Sequence, residues 1–455
     1  MLNSWRTLRA GHSYCLQRPV AARSGPNGRT TEMADAVARP TTLPHAVFLE
    51  RATLQLSTSP PVRLGQGAFL VLRLLDLLAS DHEPPVTDDA FRYQWAATER
   101  YCRELGVGFP EAAHLQGLVR SARDAHSSAD VRLLAPGLLA YAHALEDDGH
   151  YDEAADIVLT LLRIGDTRLS MTDRIAAQLR LGRVRRKVMR WGEAEAAYAE
   201  GGRLSREAGD GYSALLSRLG HVNVVQFRGN LADAESQYRG ILTDARTGAY
   251  EEAEARAEHG LGSVLALRGQ ADEAVPHLWR AYERYHDDSS RLRTLHDLAQ
   301  ALLTMGQVQS AERALLEVIR RDSRPDNVNN ALIELMNCAS YRRDRVGFER
   351  WRERCEANST TMAPNMRADF LLKTGVGLAR FGLFDRAQSM MENALEVADQ
   401  NQLHGLEFKI ERIKNGLRDC EAEVKAGQYA ATEPVGSEEV REVSASLAEL
   451  AQSAV

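Results

Sequence analysis

Gly229-Asn230-Leu231-Ala232-Asp233-Ala234 is one copy of a short pattern that recurs along this chain: a turn residue, one residue, an apolar residue, two residues, then alanine. The pattern also occurs as Gly149-His150-Tyr151-Asp152-Glu153-Ala154, Trp191-Gly192-Glu193-Ala194 and Gly269-Gln270-Ala271-Asp272-Glu273-Ala274. Two further copies are Gly306-Gln307-Val308-Gln309-Ser310-Ala311 and Gly382-Leu383-Phe384-Asp385-Arg386-Ala387. The terminal alanines lie 40, 40, 40, 37 and 76 residues apart, and 76 is two periods of 38. A degenerate copy is therefore expected near residue 348, among Val346, Gly347, Phe348 and Trp351, which makes seven units. A fixed period of this size marks a repeat architecture. A single unit cannot bury its own apolar face, so stacking supplies the core and the ends need caps.

The pattern extends both ways. Gly182, Gly262 and Gly375 lie seven residues before the turn position, two of them preceded by Leu181 and Leu261. Four and seven residues after the alanine stand Tyr198 and Gly201, Tyr238 and Ile241, Leu278 and Ala281, Leu315 and Val318, Met391 and Ala394. Small residues such as Gly182 and Ala194 let two antiparallel helices approach closely, while Tyr198, Tyr238 and Leu278 face the next unit. These positions resemble the tetratricopeptide repeat, a helix–turn–helix unit of about 34 residues. The period nearer 40 and the missing proline at the unit end depart from it and imply longer helices or loops; such long repeats are similar to those of bacterial signal-responsive regulators. The resemblance implies an α-solenoid, a right-handed superhelix of helix pairs.

Proline and composition agree with an all-α body. Of 14 prolines, nine fall between Pro19 and Pro110, and only Pro276, Pro325 and Pro364 between residues 137 and 433. Proline breaks helix interiors, and the stretch is rich in Ala, Leu, Arg and Glu, which favour helix. Residues 1–44 differ: five arginines precede the first acid, Glu32, as in a transit peptide, or the true start is Met33. They are expected to be a disordered leader or a mis-called start. Residues 45–135 read as an N-terminal helical extension, in which Val62 to Ser80 is packed on several sides and Asp88 to Leu105 pairs with Pro110 to His126. Residues 136–402 form the solenoid. Residues 403–426 form a capping helix, with Leu406, Ile410, Ile413 and Leu417 at helical spacing. Residues 427–455 read as a flexible tail, in which Glu438 to Gln452 forms one short exposed helix.

Hydrophobic residues make up 44% of the 455, enough for a core. The most apolar stretch, Ala68 to Ala79, contains Arg73 and Asp76 and is far shorter than the roughly 20 residues a bilayer needs. Five scattered cysteines without a CxxC indicate neither disulfide framework nor zinc cluster, and point to a reducing interior, the cytoplasm. Phosphate loop, dinucleotide fingerprint, HExxH, EF-hand and GxSxG are all missing, so neither an enzyme nor a cofactor is expected.

What remains is a surface. In stacked helix pairs the first helices line the concave side, and fixed positions on them would form a groove: Arg183, Arg186, Lys187, Asn223, Gln226, Phe227, Arg256, His259, Arg293, His296, Gln300, Asn337 and Tyr341. This stripe is polar and basic on a chain of net charge −7, and only the first unit reverses sign, with Glu146 and Asp147. Arginine offers bidentate contacts to carboxylates, and Asn223 and Asn337 would bond an extended backbone, as the repeat family implies. The expected partner is thus a protein or an acidic or C-terminal-carboxylate-bearing peptide, bound by a non-catalytic scaffold. A ligand-responsive regulator of a signalling or transcription pathway is the alternative. The basic run Arg183 to Arg190 lacks the arm and aromatics that nucleic acid would need. Exposed aromatics such as Trp351, or a swapped cap, would support a homodimer.

Overall fold

A computed structural model describes residues 43–54, 59–79, 86–106, 108–165, 168–322, 324–401, 403–425 and 436–452. The expected leader up to residue 42, and residues 426–435 and 453–455 of the tail, lie outside them. Two compact units divide the described chain between Val224 and Val225. Among the described residues, helices and the turns between them make up the whole structure.

In the first unit a short helical stretch at Arg51–Leu54 precedes α1 (Pro60–Asp76), α2 (Asp88–Glu104) and α3 (Pro110–Ser128). Then come α4 (Ala135–Asp147), α5 (Tyr151–Gly165), α6 (Met171–Lys187), α7 (Trp191–Glu207) and most of α8 (Gly211–Phe227). One apolar core runs without a break from Phe48 through Leu72, Leu115 and Tyr141 to Ala197, so α1–α3 and the first repeat pairs share it. Charge is buried with it. His45 holds Asp156 through Nδ1 at 2.6 Å and Asp76 through Nε2 at 3.1 Å, while Arg163 also donates to Asp76.

The second unit continues with α9 (Leu231–Thr247), α10 (Glu251–Leu267), α11 (Ala271–Arg284), α12 (Asp288–Thr304) and α13 (Val308–Arg321). It ends with α14 (Pro325–Tyr341), α15 (Arg345–Asn358), α16 (Pro364–Arg380), α17 (Phe384–Gln400), α18 (His404–Lys425) and α19 (Glu438–Gln452). The long period has a plain origin. Two 17-residue helices and two three-residue turns make 40, and the spacing falls to 37 where α11 and α13 have only 14 residues. Two of the three prolines of this stretch start helices: Pro325 and Pro364 occupy first turns, where no intrahelical donor is lost, whereas Pro276 lies inside α11. Side-chain caps do the same at Asp287, which accepts from Ser290 N at 2.7 Å, and at Asp344, which accepts from Gly347 N at 2.9 Å.

The turn residue of the motif adopts the left-handed conformation, with φ 84° at Gly229 and 83° at Gly269. In the degenerate copies Met189 (59°) and Arg343 (60°) hold the same conformation with a side chain. Between pairs, large residues sit on small ones. The Tyr198 ring lies on the backbone of Gly182 in its own pair and of Gly220 in the next, Tyr238 lies on Gly260, and Phe348 lies on Gly377. The degenerate copy is thus a full helix pair, α14–α15. Trp351, expected as an exposed aromatic, is instead buried, with Arg350 and Arg354 over its ring, because it falls on the packed face of α15. The tail also differs from expectation: Val440, Val443 and Leu447 are buried where α19 packs on α11 and α13.

Candidate functional site

In the first unit the basic run is internally neutralised. Glu146, placed by α4 with its side chain wholly buried, meets Arg180 at 2.6 Å, Arg183 at 2.5 Å and Lys187 at 3.3 Å. Burial would raise its carboxyl, but these cations, Arg183 foremost, hold it below the ordinary carboxylate range. Glu146 is therefore the counter-ion of the cluster rather than a reversal of its sign. Arg185 and Arg190 are likewise shared between Asp152 and Glu193. Arg186 is half-buried and bonds Tyr198. Asn223 bonds its own helix at Leu219 O, 2.6 Å away.

In the second unit the first helices α12, α14 and α16 lie side by side, and α18 closes their end through Ile410, Ile413 and Leu417. Between them is a pocket of about 500 Å³, counting its open mouth. Its polar lining is Gln300 and Thr304 from α12, Glu334, Asn337 and Tyr341 from α14, Lys373 and Arg380 from α16, and Lys409 from α18. Three expected groove residues, Gln300, Asn337 and Tyr341, thus meet in one place. Beside them His296 accepts from the Gln300 amide at 3.2 Å, and its Nδ1 is buried without a hydrogen-bond partner.

The electrostatics of this pocket are dense. Glu334 accepts from Lys373 at 2.6 Å, Gln300 at 3.0 Å and Asn337 at 3.2 Å. Lys373 also donates to Asp369 at 2.5 Å, and Lys409 stands 3.7 Å from the other oxygen of Asp369. Burial works against the charges of Glu334 and Lys373, yet Lys373 keeps Glu334 down to about 2, and Asp369 and Glu334 hold Lys373 above the usual lysine value. For Lys409 burial prevails over Asp369 and lowers the ammonium. Arg380 is different. It is 7% exposed, donates to Asn337 Oδ1 at 2.7 Å and Ser340 Oγ at 2.6 Å, and lies 3.6 Å above the Tyr341 ring. Among the described residues it has no carboxylate partner.

The other expected groove residues of this unit lie outside the pocket. Gln226 is buried and accepts from the Tyr238 hydroxyl at 3.0 Å, and Phe227 is half-buried. Arg256 pairs with Glu252, and Arg293, exposed, reaches Ser290 Oγ. His259 is buried against Asp297 at 2.8 Å, with Tyr285 and Thr294 each 3.3 Å from its Nδ1. Glu334, Lys373, Arg380 and Lys409 escaped the sequence reading, although one signal pointed to two of them: the chain has only five lysines, and Lys373 and Lys409 are among these. Among the described residues no group of His, Cys, Asp or Glu is arranged to hold a metal, and no helix is long and apolar enough to cross a membrane.

No curated protein matches the chain. Three of the similar solved structures are these. The Rap conjugation gene regulator of the plasmid pLS20, in complex with the Phr* peptide, shares 14% identity over 73% of this chain and 97% of its own (TM-score 0.47). The apo quorum sensor NprR from B. thuringiensis shares 12% over 77% and 98% (TM-score 0.45). A putative kinesin light chain of Podosopora anserina with nearly identical TPR-like repeats shares 20% over 42% and 97% (TM-score 0.32). Residues 253–324 match the tetratricopeptide repeat family. That match falls on α10 to α13, and the same turn motif and helix pairing recur on either side of it, so the chain is an all-α solenoid of tetratricopeptide-like helix pairs.

Proposed function

We propose that this chain is a non-catalytic interaction module that holds a protein or peptide partner on its first-helix face, with the pocket of α12, α14, α16 and α18 as the anchoring contact. The observation that carries this reading is Arg380, a buried guanidinium facing the pocket with neutral partners only among the described residues. A buried cation without a counter-ion is expensive, and a carboxylate from a partner would relieve it through a charge-assisted pair. Tyr341 and Asn337 fix the guanidinium plane, so the anion is oriented as well as attracted. The favoured partner group is a peptide C-terminus or an acidic side chain.

The test uses short peptide pools, differing only in a free or amidated C-terminus, on the full chain and on Arg380→Met. Retention of the free-acid pool, its loss with amidation, and its loss in Arg380→Met are expected. Equal retention of both pools would remove the carboxylate from the reading. Binding unchanged in Arg380→Met would move the partner to another surface.

A ligand-responsive regulator is the second reading, favoured by one contact: Lys409 of α18 reaches across to Asp369 of α16 beside the pocket. A ligand competing for either charge would shift the end helix. Solution scattering with and without saturating ligand separates the readings, since unchanged dimensions would leave the scaffold alone.

A further inference from the structure

The last helix occupies a seat that the repeat does not require. α18 already covers α16 and α17 at the end of the array, yet α19 is found back on α11 and α13, the second helices of two consecutive pairs. Its start is fixed there, because a Cβ on Gly436 would come within 3.3 Å of the Gln307 amide at the head of α13. The side it buries is a stripe at i, i+3 and i+7, Val440, Val443 and Leu447, with Leu450 partly covered beyond them. The opposite side is exposed and mostly acidic: Glu438, Glu439, Glu442 and Glu449, with Arg441.

The fit is incomplete. Ser444 Oγ on α19 is buried without a hydrogen-bond partner. Such a group opposes the apolar gain. A 15-residue helix is marginal in water by itself, so α19 is helical through its docking.

We propose that the α11–α13 face is a docking site for an amphipathic helix in trans, and that α19 is its built-in competitor. The occupant is specified by what covers the face now: a helix with an apolar i, i+3, i+7 stripe and an acidic outer side. Tethering gives α19 a high effective concentration, so an outside helix gains access only in proportion to the fraction of chains whose α19 is undocked. This site is independent of the pocket at Arg380 and does not rest on its function.

The probe is a fluorescently labelled synthetic peptide of residues 438–452, titrated by anisotropy into the full-length chain. Three chains are compared: wild type, Val443→Asp with Leu447→Asp, and the outer-face control Glu442→Gln. The double variant cannot cover its own face and should bind the peptide at least about tenfold more tightly than wild type, with the control close to wild type. A peptide carrying the same two aspartates should bind none of them. Circular dichroism and melting check that the double variant keeps the solenoid. Equal affinity for wild type and double variant would place the peptide elsewhere and overturn the proposal, as would failure to bind a folded double variant. A mass that doubles with concentration in wild type and not in the double variant would identify the outside helix as α19 of a second copy, again in support.

Discussion

His45 lies between two carboxylates, Asp156 and Asp76, in the first unit. Burial alone would lower its imidazole, but the hydrogen bonds to Asp156 and Asp76 raise it from 6.5 to about 9. A folded-state value above the unfolded one stabilises the fold fully below pH 6.5, and that contribution disappears as pH rises through 9. The melting temperature of the wild type should therefore fall between pH 7 and pH 10 more than that of His45→Gln; parallel curves would show that the imidazolium contributes nothing. Met189 makes a second case. It holds a left-handed turn with its side chain 54% exposed, so the strain is offset by little packing. Replacing it by glycine, as in most copies, should stabilise by about 0.5–1 kcal/mol, read as a higher denaturant midpoint.

Between elements the controlling feature is a ring against a bare backbone. A Cβ on Gly260 would stand 2.2 Å from the Tyr238 ring, which is buried and fixed through its hydroxyl to Gln226. Gly260→Ala should thus cost about 1–3 kcal/mol by overpacking. Gly117, in α3, would present its Cβ to open space, so Gly117→Ala should stabilise by about 0.5–1 kcal/mol. Urea titrations of the two variants should shift in opposite directions, and shifts of one sign would refute the packing argument. The small-and-large alternation was readable in the sequence because it depends on spacing along single helices. The counter-ions were not, because Glu146 and Glu334 each meet cations from neighbouring helices, and a linear pattern does not say which cation is already taken.

At the scale of the whole chain the sequence was informative about repetition and silent about exceptions to it. Turn, alanine and apolar positions recur, so the helix pairs follow from one period; the charges of the Arg380 pocket and the seat of α19 belong to particular pairs and not to that period. The Lys373 network is such an exception, joining α14 and α16, with α18 at its edge. Removing one partner of a buried ion pair leaves the other charge uncompensated, so Lys373→Met should cost about 3–5 kcal/mol. In a stacked array that loss should stay near the altered pairs. Hydrogen exchange should therefore open α14, α16 and α18 first, with α9 and α10 still protected; uniform opening would mean that the second unit unfolds as one block.

The three-residue difference between the pairs has an evolutionary reading. The missing residues come from the second helices, where α11, α13 and α15 have 14 residues against 17 in α9; the three-residue connections after α11 and α13 are kept, and five residues follow α15. Gene duplication of this unit can therefore tolerate in-frame deletions in one place, the trailing end of the second helix, without disturbing the motif at its start. Length variation among the copies is in that sense a record of where the chain is free to drift, and the alanine of the motif marks where it is not.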